Sequence, residues 1–232
     1  MSWFITGTDT GAGKTFVTCA LLHAFRHAGV RAVAMKPIAA GLGEHDGARV
    51  NEDVALLKVA MGAEAPPLSV INPYALPDPT APHIAAARAG CRLELGPIET
   101  AYRQARRVAE VVLVEGVGGW CLPLNDREWL SDIPKALGLP VLMVAGIRLG
   151  GLNHALLTAR AVAAEGCRLD GWIANVLDPQ YPYTSETIDT LTDRLGAAPL
   201  AIVNWAHQSD PQQACVSLAG TVARLISGET AP

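Results

Sequence analysis

The chain has 232 residues, a net charge of −4, and an apolar half in which only 5% of all residues are aromatic. That length fits a single α/β domain, residues 1–232, with a substantial buried core. Acids and bases are scattered without a basic stripe, which argues against nucleic acid as a partner.

Residues 3–6 (WFIT) are a short apolar run that ends at Gly7, and residues 14–28 then read as a helix closing near Gly29. Residues 31–36 form a second predicted strand, stopped by Pro37. A helix is predicted over 53–61. Residues 66–82 are rich in proline and read as an irregular surface excursion. After a helix over 99–109, residues 111–114 (VVLV) form an unbroken run, the pattern of a strand covered on both faces. Residues 141–145 and 172–174 repeat that pattern, with helices expected over 152–165 and 186–195. Strands alternating with helices imply a mostly parallel sheet with helices on both faces.

Five cysteines are widely spaced, with no CxxC pair, so neither a disulfide framework nor a structural zinc site is expected. They read as reduced, small buried hydrophobes. No basic region followed by an apolar stretch marks export, and the apolar strand candidates are too short to span a bilayer. The expectation is a soluble cytoplasmic protein with no membrane partner.

The strongest chemical signal is GTDTGAGKT at residues 7–15, placed between a predicted strand and a predicted helix. A polyphosphate needs many short, fixed donors, and a glycine-rich turn lets successive backbone N–H groups converge on it at a helix N-terminus. In such a loop Lys14 places a point charge at the β and γ phosphates, and the Thr15 hydroxyl is suited to Mg²⁺. The spacing is unusual, with five residues between Gly7 and Gly13 where this loop type has four. Partitioning and septum-site ATPases carry a second lysine four residues before the last loop glycine. That position is Asp9 here, which argues against a dimerising nucleotide switch.

Glu115 ends a predicted buried strand and precedes Gly116, Gly118 and Gly119, the edge of a parallel sheet where metal ligands belong. Asp53, after Asn51 and Glu52, reads either as a second metal ligand or as a helix N-cap, and spacing alone favours the cap. Lys36 ends the second strand at the same edge as Lys14. Two lysines on one phosphate edge suit an anionic transition state. Gly150 and Gly151, in RLGGLNH at residues 148–154, make a further possible anion nest at a helix start. His83 and His154 receive no role.

Taken together, GTDTGAGKT, KPIAAG (36–41), NED (51–53), INPYALPDPTAPH (71–83), VEGVGGW (114–120), RLGGLNHALLTA (148–159) and GWIAN (171–175) resemble the dethiobiotin synthetases along nearly the whole chain. The lengthened loop is that family's own. The resemblance implies a P-loop enzyme, homodimeric, that uses ATP, Mg²⁺ and CO₂ to close the ureido ring on 7,8-diaminopelargonic acid. It implies catalytic roles for Lys14 and Lys36 and metal ligation by Thr15, Asp53 and Glu115. Phosphates would be held by Gly11, Ala12, Gly13, Lys14, Thr15 and Phe16 and by Glu115, Gly116, Val117 and Gly118, with Asp53 beside them. The nucleotide base would meet Asn175, Asn204, Trp205 and Ala206. Substrate would meet Thr10, Lys36 and Ala40, with Gly150, Gly151 and Asn153 supplied by the other subunit.

The chain departs from the family where a serine is common and Ala40 stands, and where a substrate-contacting tyrosine is replaced by Thr187, with Tyr181 and Tyr183 as substitutes nearby. Asn204 takes the place of a proline, and Val176 that of an acid. A related amide-forming synthetase of the cobyrinate type would need a glutaminase domain, for which 232 residues leave no room. A non-catalytic nucleotide switch is the alternative from another class.

Overall fold

Consecutive apolar residues, rather than alternating ones, build the centre of the molecule, because a parallel strand is buried on both faces. In the computed structural model, which describes residues 1–45, 47–205 and 210–228, β1 (Ser2–Gly7) leads into α1 (Lys14–His27) and β2 (Ala32–Met35). Short strands β3 (Ile38–Ala40), β4 (Gly43–His45) and β5 (Ala48–Val50) precede α2 (Glu52–Met61). Next come α3 (Leu68–Ile71), β6 (Tyr74–Leu76), α4 (Pro82–Arg88), α5 (Leu95–Val108) and β7 (Val111–Glu115). The chain continues through α6 (Asp132–Leu137), β8 (Val141–Ile147), α7 (Gly151–Ala164), β9 (Leu169–Val176), α8 (Thr184–Leu195) and β10 (Ala201–Val203). It closes with α9 (Pro211–Ala214) and α10 (Ala219–Ser227).

Six strands form one sheet in the order β10-β9-β8-β1-β7-β2, and every pairing in it is parallel. The two faces are read from β8, where side chains alternate. Leu142 and Val144 join the core that contains Val17, Leu21 and Phe25 of α1. Met143, Ala145 and Ile147 join Ala155 of α7 and Ile188 and Leu191 of α8. Helices therefore cover both faces, as the sequence pattern implies.

The C-terminal ends of the strands share one edge. Gly7 ends β1, Lys36 follows β2, Glu115 ends β7, and Arg148 follows β8. Ligands of parallel α/β sheets bind outside this edge.

Residues 66–82 differ from the surface excursion expected of them. Val70, Ile71 and Leu76 are buried, and β6 pairs in parallel with β3 through Ile38↔Tyr74 and Ala40↔Leu76. The prolines hid a three-residue strand that packs because its neighbours supply the core. The cysteines also divide: Cys19 and Cys215 are buried, whereas Cys91 and Cys121 are exposed. Burial pushes the Cys19 thiol up to about 12, so it stays protonated and inert. Among the described residues, no helix is long and apolar enough to cross a membrane.

Candidate active site

The loop between β1 and α1 takes its shape from two glycines in the left-handed region, Gly11 at φ 82° and Gly13 at φ 85°. A side chain at Gly13 would be strained there and would also meet the Asn175 amide nitrogen at 2.1 Å. No side chain caps α1 at Gly13. The first N–H groups of the helix are therefore left for a ligand, as anion binding at a helix start requires.

Beside this loop lies a cavity of about 740 Å³. Thr10, Gly11, Gly13, Lys14, Thr15 and Phe16 form one side of it. Lys36, Ala40, Asn51 and Asp53 form another, with Val117 and Gly118 from the loop after β7. The remaining wall is mostly apolar: Leu56, Leu122 and the run Pro79, Thr80, Ala81 and Pro82. A charged floor thus faces an apolar flank.

The floor brings together Lys14, Lys36, Asp53 and Glu115. Lys36 Nζ donates to Glu115 Oε1 at 2.8 Å and also to Asp53 Oδ2. Thr15 Oγ1 donates to the same Glu115 oxygen at 2.6 Å. Lys14 Nζ donates to the carbonyls of Gly118 at 2.6 Å and Asp9 at 3.1 Å. Burial pushes the Lys14 ammonium below the ordinary lysine value, with Glu115 opposing that fall. Burial pushes Lys36 the same way, but Glu115 and Asp53 reverse it and leave its pKa raised. For Asp53 the signs invert: burial raises its carboxyl, and Lys36 holds it below the ordinary aspartate range. Two lysines and two acidic side chains thus meet within one chain.

Asp53 does not cap α2. Asn51 does, its carboxamide oxygen accepting from Asp53 N–H at 3.1 Å while its amide group donates to the carbonyls of Ala40 and Gly41. The capping role expected of Asp53 sits two residues earlier, because only a residue outside the helix can turn its side chain back onto the first N–H groups. This frees the Asp53 carboxylate for Lys36.

The donor set suits a hard divalent cation. Thr15, Asp53 and Glu115 offer oxygens only, and Glu115 Oε2 is buried with no hydrogen-bond partner among the described residues. Mg²⁺ is a hard cation of this kind, taking one or two carboxylates and completing its shell with water and phosphate oxygens.

Other candidates stand outside the cavity. Ala12 is buried behind the loop, and its carbonyl accepts from Asn175 Nδ2 at 2.9 Å. Gly116 is packed where a side chain would strike Phe4 at 2.9 Å. Asn204 and Trp205 follow β10 at the far end of the sheet, and Trp205 is exposed. Ala206 lies outside the described residues. Gly150, Gly151 and Asn153, at the start of α7, are not among the residues lining the cavity. A side chain at Gly151 would come within 2.1 Å of the Gly146 carbonyl. Thr187 is buried against Tyr181, whose hydroxyl lies 3.1 Å from its own, while Tyr183 is exposed. Asp9, at the position of the switch lysine, is paired with Arg148 and lies 3.7 Å from His154 Nδ1.

Asn51, Leu56 and residues 79–82 belong to the cavity but carried no predicted role. Asn51 had a usable signal, an Asn immediately before an apolar-periodic helix. The apolar wall had none, since isolated Leu and Pro residues are everywhere.

A glycine-rich strand–loop–helix with a lysine and a threonine at the sheet edge defines a P-loop nucleotide-binding protein. Solved structures agree on the fold: the septum-site protein MinD of Pyrococcus horikoshii complexed with Mg-ADP is 13% identical, with a TM-score of 0.57 and 98% of each chain covered. The MinC:MinD complex of Aquifex aeolicus gives 14% identity and a TM-score of 0.61, over 100% of this chain and 97% of that one. The family model described as an AAA domain matches residues 2–213. The ATP-dependent dethiobiotin synthetase BioD of Aromatoleum aromaticum is 48% identical over 217 residues, which is 94% of this chain and 96% of the relative. The chain belongs to the ATP-dependent dethiobiotin synthetase family, and is an ATP-dependent ligase.

Proposed function

We propose that the chain, acting as one P-loop α/β domain in the cytoplasm, closes the ureido ring of dethiobiotin on 7,8-diaminopelargonic acid with CO₂, ATP and Mg²⁺. The observation that carries this reading is the pairing of a two-lysine, two-carboxylate floor, buried at Lys14, Lys36 and Glu115 and half-buried at Asp53, with an apolar wall beside one cavity. A phosphoryl-transfer site needs the first, and an aliphatic diamine needs the second.

One amine of the substrate attacks CO₂ and loses a proton, giving a carbamate. A carbamate oxygen takes the γ-phosphoryl group, and ADP leaves. The second amine attacks the carbamoyl carbon, closing the ring and expelling phosphate. None of these steps needs a covalent enzyme nucleophile, only positioning and charge neutralisation. Lys14 neutralises the β and γ phosphates. The N–H groups of Gly11, Ala12, Gly13, Lys14, Thr15 and Phe16, with those of Gly116, Val117 and Gly118, hold phosphate oxygens. Thr15, Asp53 and Glu115 would hold Mg²⁺, which when bound neutralises phosphate charge and fixes its geometry. Those two carboxylates are also the partners of Lys36. Lys36 then exchanges Asp53 for the carbamate and the transferring phosphoryl group. Thr10 and Ala40 line the substrate side, with backbone in place of the absent serine hydroxyl.

Asn175, Asn204, Trp205 and Ala206 are assigned to the nucleotide base. Among the described residues, Lys14 and Lys36 are the only cations lining the cavity, and phosphates would claim both. As the family resemblance implies, recognition of the substrate carboxylate is assigned to Gly150, Gly151 and Asn153 of a second subunit in a two-fold dimer. The surface beside them supports an interface: Leu149 is 86% exposed, and Leu157 and Tyr183 are also exposed. Phosphate release should require ATP, Mg²⁺, bicarbonate and diaminopelargonic acid together. Release that continues undiminished without the diamine would remove the reading.

A further inference from the structure

Lys36 sits at a weak point of the scaffold. It follows β2, an edge strand of the sheet, and precedes Pro37, which has no N–H to anchor it. A long lysine side chain built on a free backbone would spread its ammonium over several ångströms, yet Nζ is held between two carboxylates.

The backbone is held by residues 71–74. Lys36 N–H donates to the Ile71 carbonyl at 2.8 Å, and Tyr74 N–H donates to the Pro37 carbonyl at 2.9 Å. Between them Asn72, only 8% exposed, donates from Nδ2 to the Lys36 carbonyl at 2.7 Å and to the Tyr74 carbonyl at 3.0 Å. The same amide lies 3.5 Å from the Pro37 carbonyl. An asparagine amide has two N–H donors, so Asn72 spends both on closing this junction. Among the described residues, its side-chain hydrogen bonds reach neither the phosphate loop nor Asp53 or Glu115.

We propose that Asn72 is the positioning residue of Lys36: it locks the Lys36 carbonyl so that the ammonium meets the reacting carbamate and phosphoryl group. The proposal rests on the reading of Lys36 given above. Loss of the lock lets Lys36 drift, and a misplacement of about 1 Å costs roughly a hundredfold in rate. Nucleotide affinity is kept, because Lys14 and the loop are untouched.

The test is a double-mutant cycle on purified full-length protein, with Asn72→Leu, Lys36→Met and the pair. Asn72→Leu should lower kcat about 10- to 100-fold, with ATP affinity by calorimetry changed less than about threefold. The double variant should be no slower than Lys36→Met alone, within about twofold, because the lost lock has no lysine left to hold. A structural role would multiply the two losses, and that result overturns the proposal, as does an unchanged kcat in Asn72→Leu. Asn72→Ser, which keeps a shorter donor, repeats the cycle if Asn72→Leu does not fold, with the same two overturning outcomes. If Lys36→Met itself keeps wild-type kcat, the reading of Lys36 fails first, and the positioning role falls with it.

Discussion

The two halves of the sheet present the same kind of edge but finish it differently. On the β1–β7–β2 side, Thr15, Lys36, Asp53 and Glu115 share one hydrogen-bond network at the cavity, with Lys14 beside it on the carbonyls of Gly118 and Asp9. On the β8–β9–β10 side, Asn153, Asn204 and Trp205 stand clear of it, and Leu149 is left 86% exposed. Buried charges must be paired before any ligand arrives, because leaving one alone is costly. Recognition elements carry no such demand and can wait for a base or a second subunit. The charged half is assembled within one chain, while in the proposed function the recognition half would be completed by the nucleotide base and a second subunit.

The largest expected effect breaks this comparison if it fails. Lys14→Ala and Asn153→Ala should each reduce turnover to background with the fold retained by circular dichroism. Mixed and allowed to exchange, the two variants should pair at random, so that about half of the dimers are mixed and about a quarter of all sites regain function. Activity that stays at background, with exchange verified by mass, would put Asn153 and Lys14 in the same chain's site.

Next in size is Lys36→Met. It should lower kcat by about a hundredfold or more while ATP affinity moves little, the signature of an interaction made in the transition state. Mg²⁺ affinity of the nucleotide complex should not fall, since the ammonium removed was bound to Asp53 and Glu115. ATP affinity falling as steeply as kcat would make Lys36 a nucleotide ligand instead.

The smallest effect concerns the bridge between the halves. Asn175 on β9 reaches the phosphate loop through the Ala12 carbonyl. Asn175→Ala should weaken ATP binding by about tenfold, the value of one buried hydrogen bond, with kcat nearly kept. A fall in kcat at unchanged affinity would move Asn175 into the reacting half.

Legibility followed the same division. The path β1, loop and α1 was readable because apolar run, glycine turn and helix are local patterns, and Lys36 and Glu115 were readable because strand ends point to one edge. Asn72 was not. Its work is done on the carbonyl of Lys36, 36 residues away, and nothing in a proline-rich string signals such a contact. The three residues of β10 were too few for a pattern. Asn51 and Asp53 were seen together, but which of them caps α2 depends on where the helix begins, the least certain feature of any sequence reading.

The central claim is that phosphate leaves from a carbamate and not from water. Ring closure expels phosphate with the oxygen that joined it to the carbamoyl carbon, so that oxygen comes from CO₂. With ¹⁸O-labelled bicarbonate, used before its label exchanges with solvent, released phosphate should carry one ¹⁸O per turnover by mass spectrometry. Phosphate free of ¹⁸O, alongside ADP formed at the full rate, would mean the γ-phosphoryl group passes to water, and would contradict the account.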